Sequence, residues 1–290
     1  RSPAGSGGSV GPPNRWRKTN MLKQRIVTAV VLAILVVWAV LKLPLAGFGL
    51  LLLAVILLGA WEWAGLARLN GPRHRLVYGG LVLTLILAFW PWVGNAAFVV
   101  GLLGCVLAGW CYALFWMWRY ATRPTRQEDR SATVAVAGVI VLAAPWVAFM
   151  ALRDEFGPAY VLFLFLLVWI ADIGAYFAGR RWGRRKLAVT ISPGKTWEGA
   201  LGAGMAALMF ALAGAAVLGV GARWPWFVAI CMVTVGFSIV GDLFESMLKR
   251  QCGMKDSGTL LPGHGGVLDR VDSLTAAAPI FLLGLYGMRG

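Results

Sequence analysis

The run Ser246-Met247-Leu248-Lys249-Arg250 through Asp269-Arg270-Val271-Asp272 gathers lysines, arginines, aspartates, glycines and a histidine between strongly apolar segments. Charged groups beside hydrocarbon are costly, so such a cluster marks a functional site by default. Just upstream, Asp242 and Glu245 precede Lys249 at i, i+3 and i+7, which projects acid, acid and base toward one side of a helix end. A helix-end ion pair explains Glu245 and Lys249, whereas Asp242 lies deeper and needs another reason. Asp269 and Asp272 open the next apolar segment, where a helix macrodipole favours carboxylates. Together with Asp242 they offer oxygen ligands for a hard cation, with positions left over for phosphate.

Between these acids, Pro262-Gly263-His264-Gly265-Gly266 reads as a tight turn that lets backbone approach a ligand. Successive amides in such a turn form an anion-binding nest. Lys249, Arg250, Lys255 and Arg270 surround it and make phosphate the expected anion, which arginine grips in bidentate fashion. His264 is expected to touch that phosphate or a metal.

A second basic cluster runs from Arg180 to Lys186 and leads into Ile191-Ser192-Pro193-Gly194-Lys195-Thr196-Trp197-Glu198-Gly199. Ser192, Lys195 and Thr196 immediately precede a predicted helix amino terminus, a place that binds anions through free amides. It is not a Walker A loop, because Val189 stands where the first glycine belongs. Asp172, Tyr176 and Gly179 share one helical face at i, i+4 and i+7, which suits a polar pocket beside closely packed helices. Glu62, in Trp61-Glu62-Trp63, leaves two readings open: an interfacial ion pair with Arg68 or another loop's base, or a place in the site.

The elements that must position these groups are membrane spans. With 59% hydrophobic and 13% charged residues, the chain cannot be a soluble domain around one core. A bilayer core of about 30 Å needs roughly 20 apolar residues per helix. Nine segments qualify, at 25–43, 46–67, 76–93, 96–118, 132–152, 159–178, 199–220, 225–246 and 273–288. Their apolar runs are continuous, so helices are predicted rather than the alternating strands of a barrel. The fold class is therefore all-α and polytopic, with a cytoplasmic-facing polar site in the carboxyl-terminal half.

The net charge of +15 would suggest nucleic acid in a soluble protein, but here the basic residues are asymmetric. All 27 Lys and Arg except Lys42, Arg153, Arg223 and Arg289 fall on the amino-terminal tail or on even-numbered connections. That pattern puts the amino terminus in the cytoplasm and the carboxyl terminus outside, and replaces nucleic acid with lipid headgroups and soluble anions as expected partners. Residues 1–20 are rich in Gly, Ser and Pro and read as a disordered tail or expression scar, 21–158 as amino-terminal transmembrane helices, and 159–290 as the catalytic region. The four cysteines lack metal or redox spacing and are expected to be packing residues.

The 246–272 run resembles, position by position, the signature of the phosphatidate cytidylyltransferases, also called CDP-diacylglycerol synthases. The matching elements are Ser246-x-x-Lys249-Arg250, Lys255-Asp256-x-Gly258 and Pro262-x-His264-Gly265-Gly266-x-x-Asp269-Arg270-x-Asp272. The likeness continues upstream through Gly241-Asp242, the Ser192–Gly199 motif and Ala171-Asp172. It implies transfer of a cytidylyl group from CTP to phosphatidic acid with a divalent cation, Mg²⁺. It further implies Asp242 and Asp269 as metal ligands with Asp272 in support. Lys249, Arg250, Lys255 and Arg270 then hold phosphates, and His264, Gly265 and Gly266 cradle CTP. Asp256, Ser246, Ser192, Lys195, Thr196 and Asp172 complete the pocket. A bacterial inner membrane is the expected location, and the Gly- and Ala-rich helices permit a homodimer. Two alternatives stand beside it: a CTP-dependent polyprenol or phytol kinase, and an ion-coupled transporter, whose acids would line a path to both faces.

Overall fold

The computed structural model describes residues 30–122, 131–258, 260 and 265–289. Its helices are α1 (Val30–Lys42), α2 (Leu45–Leu66), α3 (Pro72–Phe89), α4 (Ala96–Thr122), α5 (Ser131–Phe156), α6 (Pro158–Trp182), α7 (Trp197–Val217), α8 (Trp224–Gln251) and α9 (Leu268–Arg289). Eight of them, α2 to α9, are long and apolar enough to cross a membrane; the predicted first span is described only from Val30. The chain is thus an all-α polytopic membrane protein. The expected tail, 1–20, and His264 lie outside the described residues.

Local sequence sets the breaks between spans. Gly157 takes φ 88°, a left-handed conformation that glycine adopts without strain, and Pro158 starts α6 with its φ already helical. Asn95 accepts the Phe98 amide at 3.0 Å at the head of α4, and Thr196 accepts the Gly199 amide at 3.1 Å as the amino-terminal cap of α7.

Lipid is as apolar as leucine, so the bundle is held by close packing and interhelical hydrogen bonds rather than by hydrophobic burial. The core lies around α5 and α9. Every residue from Leu142 to Leu152 of α5 is buried, and α9 touches α2, α4, α5, α6 and α8. Two indoles stitch α2 to α5: Trp63 Nε1 donates to Val134 O at 2.8 Å and Trp146 Nε1 to Gly49 O at 2.9 Å. Such bonds contribute about 0.6–2 kcal/mol each in a membrane. Arg153 closes the far end of α5 by donating to the α1 carboxyl-terminal carbonyl of Ala39 and to Leu43 O, with its guanidinium 4.5 Å from the Phe48 ring centre.

Two boundaries differ from the predicted spans in ways that matter for the site. Hydropathy stops the eighth span at 246 and starts the ninth at 273, but α8 continues to Gln251 and α9 begins at Leu268. Lys249, Arg250, Asp269 and Asp272 therefore stand on rigid helices. The 179–198 connection, predicted as a loop, holds an antiparallel hairpin, β1 (Lys186–Ala188) with β2 (Ser192–Thr196), which pairs Lys186 with Thr196 and Ala188 with Ser192. Of the cysteines expected to be packing residues, Cys231 is buried and Cys252 partly so, whereas Cys105 and Cys111 are exposed.

Helix α6 packs most extensively on α7, through glycines. A β-carbon at Gly202 would stand 2.3 Å from Ala178 Cβ and 2.8 Å from Gly174 O, so the two backbones meet with no room for a side chain. Helix α8 packs almost as extensively on α9, and there a β-carbon at Gly241 would stand 2.6 Å from Asp272 O.

Candidate active site

Helices α6, α7 and α8 and the β1–β2 hairpin enclose a cavity of about 390 Å³, within the usual size of small-molecule sites. Asp172, Tyr176 and Gly179 line it together, as their helical spacing predicts, and meet Lys195, Thr196, Ser238 and Asp242 there. Lys195 comes from β2 and Asp242 from α8, and their side chains pair at 2.5 Å while each keeps about three-tenths of its surface open. Ser246, one turn further along α8, donates to Asp242 Oδ1 at 3.2 Å. Asp272 stands where α9 packs against α8, its carbonyl facing Gly241, the neighbour of Asp242. A larger cavity of about 460 Å³ between α4, α5 and Phe244 has no acid or base in its lining.

Behind this cavity lies a second, buried cluster. Lys249 Nζ is 2.6 Å from Asp269 Oδ1 and 3.1 Å from Glu245 Oε1, with the three side chains 10%, 8% and 3% exposed. Glu245 has no hydrogen bond of good geometry on either oxygen among the described residues, where its ion pair is with Lys249. The other oxygen of Asp269 accepts the amides of Ser257, at 3.0 Å, and Gly266, at 2.8 Å. Lys249 is thereby held in one position between two acids.

Glu62 joins this cluster from the amino-terminal half. It is 3% exposed and accepts from the amides of Val267, at 3.0 Å, and Leu268, at 2.8 Å, and from the Ser257 hydroxyl at 3.1 Å. These amides belong to the start of α9, so the helix's positive end neutralises the carboxylate. Among the described residues no ion pair joins Glu62 to a base, so the expected pairing with Arg68 gives way to main-chain and hydroxyl donors. The signal in the sequence was an acid between two tryptophans at a span's end; nothing in local spacing names its partners about 200 residues on.

The remaining expected residues divide between the two clusters and the surface. Arg250 donates through Nε to Ile191 O at 3.4 Å, tying α8 to the hairpin that carries Ser192. Lys255, Asp256 and Arg270 are exposed. Gly265 takes φ 83°, and a β-carbon there would lie 2.8 Å from Asp269 Oδ2. At Gly266 it would lie 2.2 Å from Ser257 Oγ and 2.5 Å from Glu62 Oε2. These glycines are required by the carboxylates packed against them. The Gly266 amide, expected in a phosphate nest, donates to Asp269, and Thr196 Oγ1 accepts the Gly199 amide as the cap of α7.

Among the described residues, no three acids, histidines or cysteines come together as metal ligands. Asp269 is turned to Lys249 and to two amides. Mg²⁺, however, commonly takes one or two carboxylates and completes its shell with water and substrate phosphate. Asp242, partly open in the cavity wall beside Lys195, fits that lighter requirement.

Residues 23–286 match the model of the cytidylyltransferase family. The chain is 41% identical over 287 residues to a phosphatidate cytidylyltransferase of Pseudomonas aeruginosa, covering 92% of this chain and 97% of that protein. It is 38% identical over 283 residues to that of Haemophilus influenzae, covering 90% and 97%. With that of Bacillus subtilis it shares 33% identity over 281 residues, covering 91% and 98%.

Proposed function

Because the chain belongs to the cytidylyltransferase family, we propose how its site carries out the family's chemistry. The protein is a nucleotidyltransferase that moves the cytidylyl group of CTP onto phosphatidic acid, giving CDP-diacylglycerol and pyrophosphate. A phosphatidic acid oxygen bonds to the α-phosphorus of CTP as the bond from that phosphorus to the pyrophosphate oxygen breaks. A phosphomonoester has its second pKa near about 6, so the nucleophile is largely ionised at neutral pH and needs no strong base. The difficulty is bringing two anions together and stabilising the departing pyrophosphate, which calls for fixed cations.

The observation that carries this reading is the Lys195–Asp242 pair in the cavity wall. A phosphate competes for the lysine and a divalent cation for the aspartate, so a metal–triphosphate complex satisfies both members at once. Asp242 with Asp272 would hold Mg²⁺, which supplies charge neutralisation at the phosphates. Asp172 lines the same cavity. Lys249, pre-positioned between Glu245 and Asp269, presents a cation that needs no reorganisation. Asp269 acts by holding Lys249 and the Ser257 and Gly266 amides. Exposed Lys255, Arg270 and Arg250 meet the incoming anions.

Exposed Tyr176 lines the cavity beside Arg180, and exposed Trp182 and Trp197 end α6 and begin α7 next to it in sequence, the aromatic and basic mixture of a membrane–water interface. With the basic asymmetry of the connections, this supports a site on the cytoplasmic side of a bacterial inner membrane, with the carboxyl terminus outside. The lipid then enters sideways and the nucleotide from the aqueous side. A homodimer is compatible with the small-residue helix faces.

Pyrophosphate release from detergent-purified protein tests the reading. Release should require CTP, phosphatidic acid and Mg²⁺ together, stop with chelator, and collapse in Asp269→Asn at equal folded yield. Release with a polyprenol or phytol in place of phosphatidic acid, and none with phosphatidic acid, would replace this reaction with a lipid-alcohol one.

A further inference from the structure

The described end of the signature segment is gripped by two carboxylates that come from opposite ends of the chain. Asp269 takes the amides of Ser257 and Gly266. Glu62 takes the Ser257 hydroxyl and the amides of Val267 and Leu268. Ser257, 5% exposed, is the joint between them: its hydroxyl goes to one acid and its amide to the other. From Ser257 the connection runs through Asp269 to Lys249 Nζ at 2.6 Å.

We infer that Glu62 on α2 is a positioning residue for cytidylyl transfer: by fixing Ser257 and the first turn of α9, it sets where Asp269 holds Lys249. The inference rests on the reaction proposed above and deepens it. A carboxylate serving only as a helix cap would need the Val267 and Leu268 amides. The third bond, to Ser257, ties the segment that leaves α8 to the one that enters α9. Glu62 also fills the positive end of α9, so substrate phosphate is kept from those amides and directed to the cavity cations. The packing is close: a β-carbon on Gly258 would have only Glu62 atoms within 4 Å among its three nearest neighbours, at 2.5, 2.8 and 3.1 Å.

Glu62→Gln and Glu62→Asp are the variants to measure. The amide turns a donor toward the Val267 and Leu268 amides, which can only donate, and the aspartate falls short by one methylene. Misplacing a catalytic group by about 1 Å costs on the order of 100-fold, so kcat per folded molecule should fall about 10- to 100-fold. KM for CTP should stay within about threefold, since the open cavity is untouched. Hydrogen exchange should speed up at least about tenfold at Val267 and Leu268 and stay unchanged in α5. Gly258→Ala should lose activity in the parent chain and regain part of it beside Glu62→Asp, whose carboxylate is drawn back; this pair decides the matter where Glu62→Gln folds poorly. Unchanged kcat per folded molecule, an effect confined to KM, or unchanged exchange at Val267 and Leu268 would overturn the inference. If the parent itself releases no pyrophosphate with phosphatidic acid, the reaction assigned to the chain fails, and the exchange rates still decide whether Glu62 holds the segment.

Discussion

Removing the ammonium of Lys249 tests the buried cluster most directly. Lys249→Met keeps the aliphatic stem and deletes the charge that stands 2.6 Å from Asp269 and 3.1 Å from Glu245. At an effective dielectric of about 20, each contact is worth roughly 5–6 kcal/mol before desolvation is counted. Desolvation of three groups, each at most 10% exposed, cancels most of that, and stranding a buried partner typically costs about 3–5 kcal/mol. Two acids are stranded here, and Asp269 keeps its two amide donors while Glu245 keeps none of good geometry. Glu245 should therefore account for most of the loss. Equilibrium unfolding in mixed detergent micelles should show Lys249→Met destabilised by about 3–5 kcal/mol and Glu245→Gln by about 1 kcal/mol or less. The double variant should recover at least about 1 kcal/mol relative to Lys249→Met, because the stranded charge is gone. Pyrophosphate release should remain low in the double variant, since the cation that the proposed reaction uses is still missing. Additive losses, or a Lys249→Met protein as stable as its parent, would refute the reasoning.

Three further outcomes follow from other parts of the site. Asp242→Asn should leave stability within about 1 kcal/mol, because its pair with Lys195 is partly solvated, yet lower pyrophosphate release at least about 100-fold. The residual activity should need a higher Mg²⁺ concentration, read from metal titrations of initial rate. Gly202→Ala should cost about 1–3 kcal/mol, since its new β-carbon meets the Gly174 carbonyl and Ala178 Cβ, which cannot move aside without separating α6 from α7; unfolding in detergent measures it. Thr196→Val should lose the cap on the Gly199 amide at a cost of about 1 kcal/mol. Any larger fall in kcat/KM for CTP at equal stability would assign the hydroxyl a substrate contact as well.

Hydropathy revealed the spans because a bilayer imposes a length that sequence must meet, and the face shared by Asp172, Tyr176 and Gly179 was legible because helical spacing is local. The extensions of α8 to Gln251 and α9 back to Leu268 were not, since polar residues end an apolar count without ending a helix. The hairpin was hidden for a related reason: Ser192-Pro193-Gly194 carries a proline and a glycine, both weak strand formers, and β2 is held by its pairing with β1. Asp269 holds a lysine and two amides, partners that its place in the motif does not name. Residue type places a carboxylate in a polar site, but which cation or donor it faces depends on packing. Glu62 is the extreme case, because the groups that satisfy it lie on the last helix.

That distance has a temporal meaning as well as a spatial one. Glu62 and its partners are separated by 195 to 206 residues, and a ribosome adding about 5–20 residues per second needs roughly 10–40 s to make the intervening chain. Throughout that interval α2 is already synthesised with an acid at its end and none of the donors that will bury it. Until the final helix arrives, water or headgroups must stand in for those donors at the end of α2. A chain that stops before residue 257 lacks all three donors that satisfy Glu62 in the complete fold.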